Sequence, residues 1–311
     1  MRLLLAAAVI ASILGCSEGS GDRKGPLRFA FVPNSNSDFW RIAEKGIRKA
    51  KAETGAEVEI FTPLKGEMAE QQRHLETILA RGFDGVAISP LNAEAMTPLL
   101  DRVAGKMIVV CHDSDAPNSK RKCYIGTNNV DAGRAAGAAV REAVGARKGK
   151  VAVFVGHIDV QNAAERKRGL EEALQGSGLE ILPVYLDKTD RARAKANVED
   201  ALARHADLAV CVGLWSYNGP CIAGAVRAST RPEKPLIVCF DEEEETLQAI
   251  KDGVIHATVV QKPFEFGYRS ILALQQIKKG ETPPAIIDTG IVTVKKGNVD
   301  EFWASLKELK K

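Results

Sequence analysis

The segment LRFAFVPNSNSDFWRIAEKGIRKAKAETG, residues 27–55, contains the structural unit from which the fold of this chain follows. Its first six residues are mostly aromatic and aliphatic, which predicts a strand that stops at Pro33. A polar turn follows, and apolar residues at helical spacing then run from Phe39 to a stop at Gly55. The segment therefore predicts a strand, a loop and a helix. The loop ends in an adjacent Phe-Trp pair beside an acid, which a simple turn does not require.

The same alternation of strand and helix recurs along the rest of the chain. The later strand-like runs are, in order, EVEIFTP, GVAISP, KMIVVC, CYIGT, KVAVFVG, EILPVYLD, DLAVCVG, PLIVCFD and IHATVVQ, and we expect each to form one strand. Such alternation predicts an α/β fold with parallel sheets and right-handed crossovers. Because there are too many strands for one comfortable sheet, we expect two Rossmann-like lobes, each a mainly parallel sheet flanked by helices.

The length and composition agree with an ordinary globular protein of about two domains. The chain has 311 residues, of which 45% are apolar and 27% charged. Its formal net charge is +3, from 43 basic and 40 acidic residues. This small excess, without a basic stripe interleaved with aromatic residues, argues against nucleic acid as a partner.

The amino terminus reads as an export signal. Residues 1–15 carry one positive charge at Arg2 and then an apolar run that is too short for a membrane-spanning helix of about 20 residues. The sequence ILGC, ending at Cys16, resembles a bacterial lipoprotein cleavage site, although such sites prefer a smaller residue than Leu14. We expect cleavage before Cys16, lipidation of its thiol and a flexible tether over residues 16–26. Plain secretion with an unlipidated Cys16 is the alternative.

Five further cysteines show none of the short paired spacings of a zinc site. They are Cys111, Cys123, Cys211, Cys221 and Cys239. Three of them lie in apolar strand-like runs, where a cysteine behaves as a small hydrophobic residue. We expect buried, unpaired thiols and no metal or cofactor. A Cys111–Cys123 or Cys211–Cys239 disulfide is the alternative.

Polar and aromatic side chains follow the predicted strands, at the edge where ligands bind in open α/β sheets. They include Ser37, Phe39, Trp40, Asp113, Asn162, Arg166, Trp215, Asn218, Asp241 and Gln261. Planar carboxylates, amides and a guanidinium can each hold two hydroxyl groups, and aromatic faces cover the apolar side of a sugar ring. No strand end pairs a nucleophile with a base, so we expect carbohydrate binding and no enzyme activity.

At this point the chain resembles the ribose/galactose-type periplasmic binding proteins, which are the solute receptors of sugar ABC importers. The resemblance covers most of residues 27–294 and depends on the order and spacing of several motifs. These are FVPNSNSDFWRIAEKGIRKA, GFDGVAISPLNAEA, VVCHDSDAPNSKRKCYIGTNN, DAGRAAG, NAAERKRGLEEAL and IVCFDEEEETLQAIKDGVIHATVVQKPFEFGY. It implies the type I fold of that family, with two lobes joined by a three-strand hinge and a ligand cleft between them.

The resemblance also implies roles for individual residues. Phe39 and Trp40 match the aromatic residues that stack on the sugar ring. Asp113 matches the acid after the fourth strand that binds ring hydroxyls, and Asp241 matches the aspartate of the family's FD motif. Arg166 matches the arginine of the ER..G helix motif that donates to the ring oxygen or to a hydroxyl. The remaining family-matched positions are Gln261 and either Trp215 or Asn218. Asn162 is a candidate from its place after a strand, with a helix N-cap as the alternative.

Two departures from the family pattern leave the identity of the sugar undecided. Ser37 stands where many relatives have Asn, and Ser89 stands where the ribose receptor type has Asn. The extra residues LWSY make the alignment around Trp215 and Asn218 ambiguous. The ligand therefore need not be ribose.

We expect an N-terminal lobe of residues 27–127 and 262–289 and a C-terminal lobe of residues 128–261 and 290–311. The resemblance implies a monomer that closes on a monosaccharide or polyol and delivers it to the membrane permease of an ABC importer. A receptor that presents its ligand to a chemotaxis protein or sensor kinase is the alternative. A repressor of the lactose-repressor class would need an amino-terminal helix-turn-helix, which residues 1–26 lack.

Overall fold

A computed structural model describes residues 25–310 and has the two-lobed α/β architecture that the alternation predicts. The strands are β1 (Arg28–Val32), β2 (Glu57–Ile60), β3 (Gly85–Ile88), β4 (Ile108–His112), β5 (Tyr124–Gly126), β6 (Gly149–Val155), β7 (Leu179–Ile181), β8 (Tyr185–Leu186), β9 (Leu208–Gly213), β10 (Leu236–Phe240), β11 (Ala257–Val260), β12 (Ile286–Asp288) and β13 (Val292–Lys295). The helices are α1 (Asp38–Thr54), α2 (Met68–Arg81), α3 (Ala93–Ala104), α4 (Asn129–Val144), α5 (Gln161–Leu174), α6 (Arg191–Arg204), α7 (Asn218–Ala228), α8 (Glu244–Lys251), α9 (Pro263–Lys278) and α10 (Val299–Lys310). The predicted signal peptide and Cys16 lie outside the described residues.

The strands form two sheets. The first has the order β12-β5-β4-β3-β1-β2, and its neighbours pair in parallel. The second has the order β13-β11-β10-β9-β6-β7, with β8 also paired to β6. Within it only β13 is described as antiparallel, against β11. The prediction of two mainly parallel sheets is therefore confirmed.

Helices cover both faces of each sheet, so the central strands are buried on both sides. β3 and β9 consist entirely of buried residues, as expected for parallel strands that read as continuous apolar runs. In the second lobe, α4 and α5 approach closely because glycines meet at their contact. A Cβ added at Gly133 would lie 2.1 Å from the carbonyl oxygen of Arg166, and one at Gly169 would lie 2.0 Å from that of Val130.

One predicted strand is wrong in detail. EILPVYLD forms two short strands, β7 and β8, instead of one. Pro183 lies between them and has no amide hydrogen for a sheet hydrogen bond, so the continuous ladder breaks there. Both pieces still pair with β6, and Asp187 follows the second one directly.

The chain passes between the sheets three times, which confirms the three-strand hinge. It leaves the first sheet after β5, returns after β11 through α9, and crosses again between β12 and β13.

The five cysteines after Cys16 are free thiols, and all except Cys221 are buried. Within residues 25–310, no helix combines the length and apolar character needed to cross a bilayer.

Candidate functional site

A cavity of about 1020 Å³ lies between the lobes, where the carboxyl ends of strands from both sheets meet. Nine of the eleven predicted site residues line it, and two do not. The nine are Ser37, Phe39, Trp40, Asp113, Asn162, Arg166, Trp215, Asp241 and Gln261. Because they come from both lobes, a bound ligand would contact both.

Two aspartates occupy equivalent places in the two lobes. Asp113 follows β4 and Asp241 follows β10, and both have left-handed backbones, with φ of 59° and 66°. Each also donates its amide hydrogen to the neighbouring strand, Asp113 to the Ile125 carbonyl at 3.1 Å and Asp241 to that of Val259 at 3.0 Å. Non-glycine residues seldom adopt this backbone, and such outliers concentrate at functional sites. The turn aims each carboxyl into the cleft.

Both carboxyls are buried and hydrogen-bonded by neutral groups. Oδ2 of Asp113 accepts from Ser89 Oγ at 2.7 Å and from Asn34 Nδ2 at 3.0 Å. Oδ1 of Asp241 accepts from Gln261 Nε2 at 3.0 Å. Burial raises the pKa of Asp113 to about 6, against smaller lowering effects of the Ser89 bond and the Arg166 charge. Burial also raises the pKa of Asp241, and the Arg166 charge opposes this.

Arg166 is a nearly fully buried guanidinium, only 1% exposed. Its Nε donates to Asn129 Oδ1 at 3.0 Å, and its Nη1 donates to the Leu214 carbonyl at 2.7 Å. The group also lies over the Phe240 ring, 4.4 Å from the centroid. Its Nη2 has no hydrogen-bond partner within residues 25–310. A buried donor without a partner is costly, so this atom is suited to receive a ligand oxygen.

Two aromatic residues form the wall of the first lobe. Phe39 and Trp40 lie edge to face, with ring centroids 5.1 Å apart. The Trp40 ring is largely buried, and its Nε1 donates to Asn34 Oδ1 at 3.1 Å and to Ser35 Oγ at 3.2 Å. Ser37 occupies the N-cap position of α1 without making a side-chain capping bond to the described residues. The half-buried Phe39 ring and the Ser37 hydroxyl therefore face the cleft more freely than Trp40 does.

The match to known families agrees with this two-lobed cleft. A family model described as "periplasmic binding protein domain" matches residues 29–282. The chain belongs to the periplasmic binding protein family.

Three proteins illustrate what this periplasmic binding protein is similar to. It is 25% identical over 264 residues to the ribose import binding protein of Bacillus subtilis, covering 84% of this chain and 85% of that one. The crystal structure of a glucose-galactose binding protein from Geobacillus stearothermophilus has a TM-score of 0.85 and 30% identity, covering 88% and 99% of the two chains. A solute-binding protein from Burkholderia graminis in complex with D-arabinose has a TM-score of 0.84 and 28% identity, covering 88% and 96%.

The aromatic wall of the second lobe is tied to the first lobe in this periplasmic binding protein. Trp215 Nε1 donates to Asn162 Oδ1 at 3.0 Å, and Asn162 Nδ2 donates to Ser114 Oγ at 3.0 Å. Ser114 belongs to the loop after β4, in the first lobe. The N-cap alternative for Asn162 is wrong, because α5 begins at Gln161 with Val160 as its N-cap. Asn162 lines the cleft, but these two bonds already engage both ends of its amide.

Ser89 and Asn218 lie behind the cavity wall instead of lining it. Both are fully buried. Ser89 supports the carboxyl of Asp113, as described above. Asn218 Oδ1 accepts from the Trp215 amide at 3.0 Å, and its Nδ2 donates to Asp187 Oδ2 at 3.0 Å. Their contacts are those of residues that hold the wall in position.

Sequence reasoning missed two features of the wall, Asn34 as a support of Asp113 and the pair formed by Tyr217 and Asp187. The Tyr217 hydroxyl donates to Asp187, whose side chain is fully buried and whose pKa is raised by that burial. Asp187 would have been found by the same strand-end criterion if the predicted strand had ended at Leu186.

Among the described residues, no group of histidines, cysteines and acids is arranged to hold a metal ion.

Proposed function

We propose that this chain is an extracytoplasmic receptor that binds a monosaccharide or related polyol in the interlobe cleft and delivers it to an ABC importer. The observation that carries the proposal is the buried polar lining supplied by both lobes. Arg166 Nη2 and Gln261 Oε1 lack partners within the described chain, and both residues line the cavity beside Asp113 and Asp241. An unfilled donor and acceptor among carboxyls and aromatic rings suit a molecule rich in hydroxyl groups.

The proposed ligand contacts are the cleft-lining residues, with Ser89 and Asn218 as their supports. A micromolar dissociation constant corresponds to about 8 kcal/mol of binding free energy. About ten hydrogen bonds at roughly 1 kcal/mol net each, together with stacking on Phe39, reach that value after ordering costs. The relatives described above are named for ribose, glucose and galactose or hold arabinose, which supports the monosaccharide class.

Binding is proposed to close the lobes about the three crossings. A ligand that contacts both lobes stabilises the closed state over the open one, because the open state loses one set of contacts. We assign residues 27–127 and 262–289 to the N-terminal lobe and residues 128–261 and 290–311 to the C-terminal lobe. The membership of the strands in the two sheets supports this division.

We further propose export directed by residues 1–15 and anchoring through lipidated Cys16, with residues 16–26 as a tether. The receptor would act as a monomer at the membrane surface, facing the periplasm or the cell exterior. Its proposed protein partner is the membrane permease of the importer. We expect no catalysis and no cofactor, and family membership supports a binding role over an enzymatic one.

A thermal-shift screen across pentoses, hexoses, polyols and inositols tests the proposal. At least one compound is expected to raise the unfolding temperature in proportion to the logarithm of its concentration. Asp113→Ala and Asp241→Ala should abolish that shift. Glu233→Gln is the matched control, because it removes an exposed carboxyl from the loop before β10, at the opposite end of that strand from Asp241.

Full binding by both alanine variants would show that the site is elsewhere, and turnover of a sugar during the assay would point to an enzyme. Transport and sensing are separated in cells that lack the chain. Loss of sugar uptake supports the importer role, whereas intact uptake with lost chemotaxis or gene induction supports the sensory alternative.

A further inference from the structure

The cleft is lined and backed by more buried acids than buried bases. Asp113, Asp187, Asp241 and Glu242 are each no more than 5% exposed. Among the described residues, Arg166 is the buried base at this site, and it is 1% exposed. Other basic side chains at the cleft, such as Arg191, are more exposed. The buried charge of the site is therefore negative.

The hydrogen bonds described for the three aspartates come from neutral groups. Asp113 is held by a hydroxyl and an amide, and Asp241 by an amide. Asp187 is held by the Tyr217 hydroxyl and by the amides of Asn218 and Thr189. No described ion pair involves any of the three aspartates. Two residues away, by contrast, Asp115 is paired with Arg121.

Acceptor capacity for a ligand is also present at the cleft. Gln261 Oε1 is a buried acceptor that has no donor within residues 25–310, although the other end of that amide donates to Asp241. Both side-chain hydrogen bonds described for Asp113 fall on Oδ2. Arg166 Nη2 is the opposing unfilled donor. An ammonium group supplies three donors and no acceptor, and buried carboxylates are stabilised when they are paired.

Building on the proposed function, we propose that the preferred ligand is an amino sugar or amino polyol, whose ammonium group binds between Asp113 and Asp241. The carboxyls come from opposite lobes, so one cation would neutralise charge on both and draw the lobes together. Gln261 Oε1 accepts a further hydrogen, and Arg166 donates to a ring or hydroxyl oxygen. The aromatic wall at Phe39 covers the apolar face of the ring.

The test is calorimetric titration of the purified protein with matched sugar triplets. Each triplet consists of a neutral hexose, its 2-amino derivative and the corresponding N-acetyl derivative, in the glucose, galactose and mannose series. In at least one series the amine should bind at least tenfold more tightly than the neutral parent, which equals about 1.4 kcal/mol. N-acetylation removes the charge and should remove the advantage.

Charge-removing variants locate the effect. Asp113→Asn should shrink the preference for the amine over its parent, whereas Glu233→Gln should leave that ratio unchanged. If neutral parents bind and no amine binds at least tenfold more tightly than its parent, the inference is overturned and the proposed sugar receptor stands. If no sugar, amine or polyol binds, both fail together. The titrations of the unaltered protein decide between these results even if Asp113→Asn does not fold.

Discussion

Replacing Asp113 by Asn should make the ligand-free protein more stable near neutral pH, although it removes a residue of the proposed site. The carboxyl is 3% exposed, and its pKa is raised from 3.8 to about 6, chiefly by burial. Because the folded state holds this proton more tightly than the unfolded chain, stability falls as the pH rises from about 4 through 6. The isosteric amide keeps an oxygen to accept from Ser89 and Asn34 and carries no charge.

The size of the effect follows from the shift in pKa. About two units at 1.36 kcal/mol each give roughly 3 kcal/mol as the full cost of ionisation above pH 6. Since the amide loses some of the strength of charge-assisted hydrogen bonds, we expect a gain in unfolding free energy of about 1 to 3 kcal/mol near pH 7.5. Most of that gain should disappear near pH 4, where the native carboxyl is protonated. The charges that act on Asp113, those of Arg166 and Asp241, are common to both proteins.

Urea denaturation without sugar at both pH values measures the difference, and Asp115→Asn provides the contrast. Asp115 is also buried, but it is ion-paired with Arg121, whose Nη2 lies 2.5 Å from Asp115 Oδ2. Removing one partner of a buried pair should destabilise the protein by about 3 kcal/mol or more. Two buried aspartates two residues apart should thus respond with opposite signs. An Asp113→Asn protein that is less stable than its parent near pH 7.5, with the same pH dependence, would refute the reasoning.

Three other predictions concern packing, the aromatic wall and the thiols. Gly133→Ala should cost about 1 to 3 kcal/mol in urea denaturation and weaken sugar binding, because the new methyl group meets the backbone of Arg166. Gly224→Ala, where nothing lies within 4 Å, should instead be neutral or stabilising. Trp215→Phe should lower the unfolding free energy by about 1 kcal/mol in urea denaturation, because it loses the indole hydrogen bond to Asn162, and unchanged stability would contradict this. Among the five cysteines after Cys16, native alkylation followed by mass spectrometry should label Cys221 first, because the other four thiols are buried and burial raises their pKa to about 11 or 12; equal labelling of the five would contradict that burial.

The fold was largely predictable from sequence because parallel strands buried on both faces leave long apolar runs, and helices leave a different period. The sheet edge that forms the cleft was predictable because ligand-binding side chains follow the carboxyl ends of parallel strands. The exception was the strand around Pro183, where an apolar run continued across a residue that cannot join the sheet. There local propensity did not reveal that the two halves would pair with β6 as separate short strands.

The roles within the site were less predictable because they depend on tertiary contacts. Both Ser89 and Asp113 follow strands, yet one supports the other from behind the wall. The repeated pattern VCHD and VCFD, ending at Asp113 and Asp241, was a signal that the lobes share a turn. Nothing in the sequence indicates that Asn162 would connect Trp215 to the opposite lobe by hydrogen bonds. Such a contact exists only after the two lobes have met.

The three crossings have a consequence for biogenesis. The core of the first lobe includes Ile271 and Leu274 of α9, and its edge strand β12 ends at residue 288 of 311. A ribosome must therefore make almost the entire polypeptide before that lobe can be finished. For the export proposed above, this delay would help, because a nascent chain that cannot yet complete its first lobe stays unfolded enough to pass through a translocation pore.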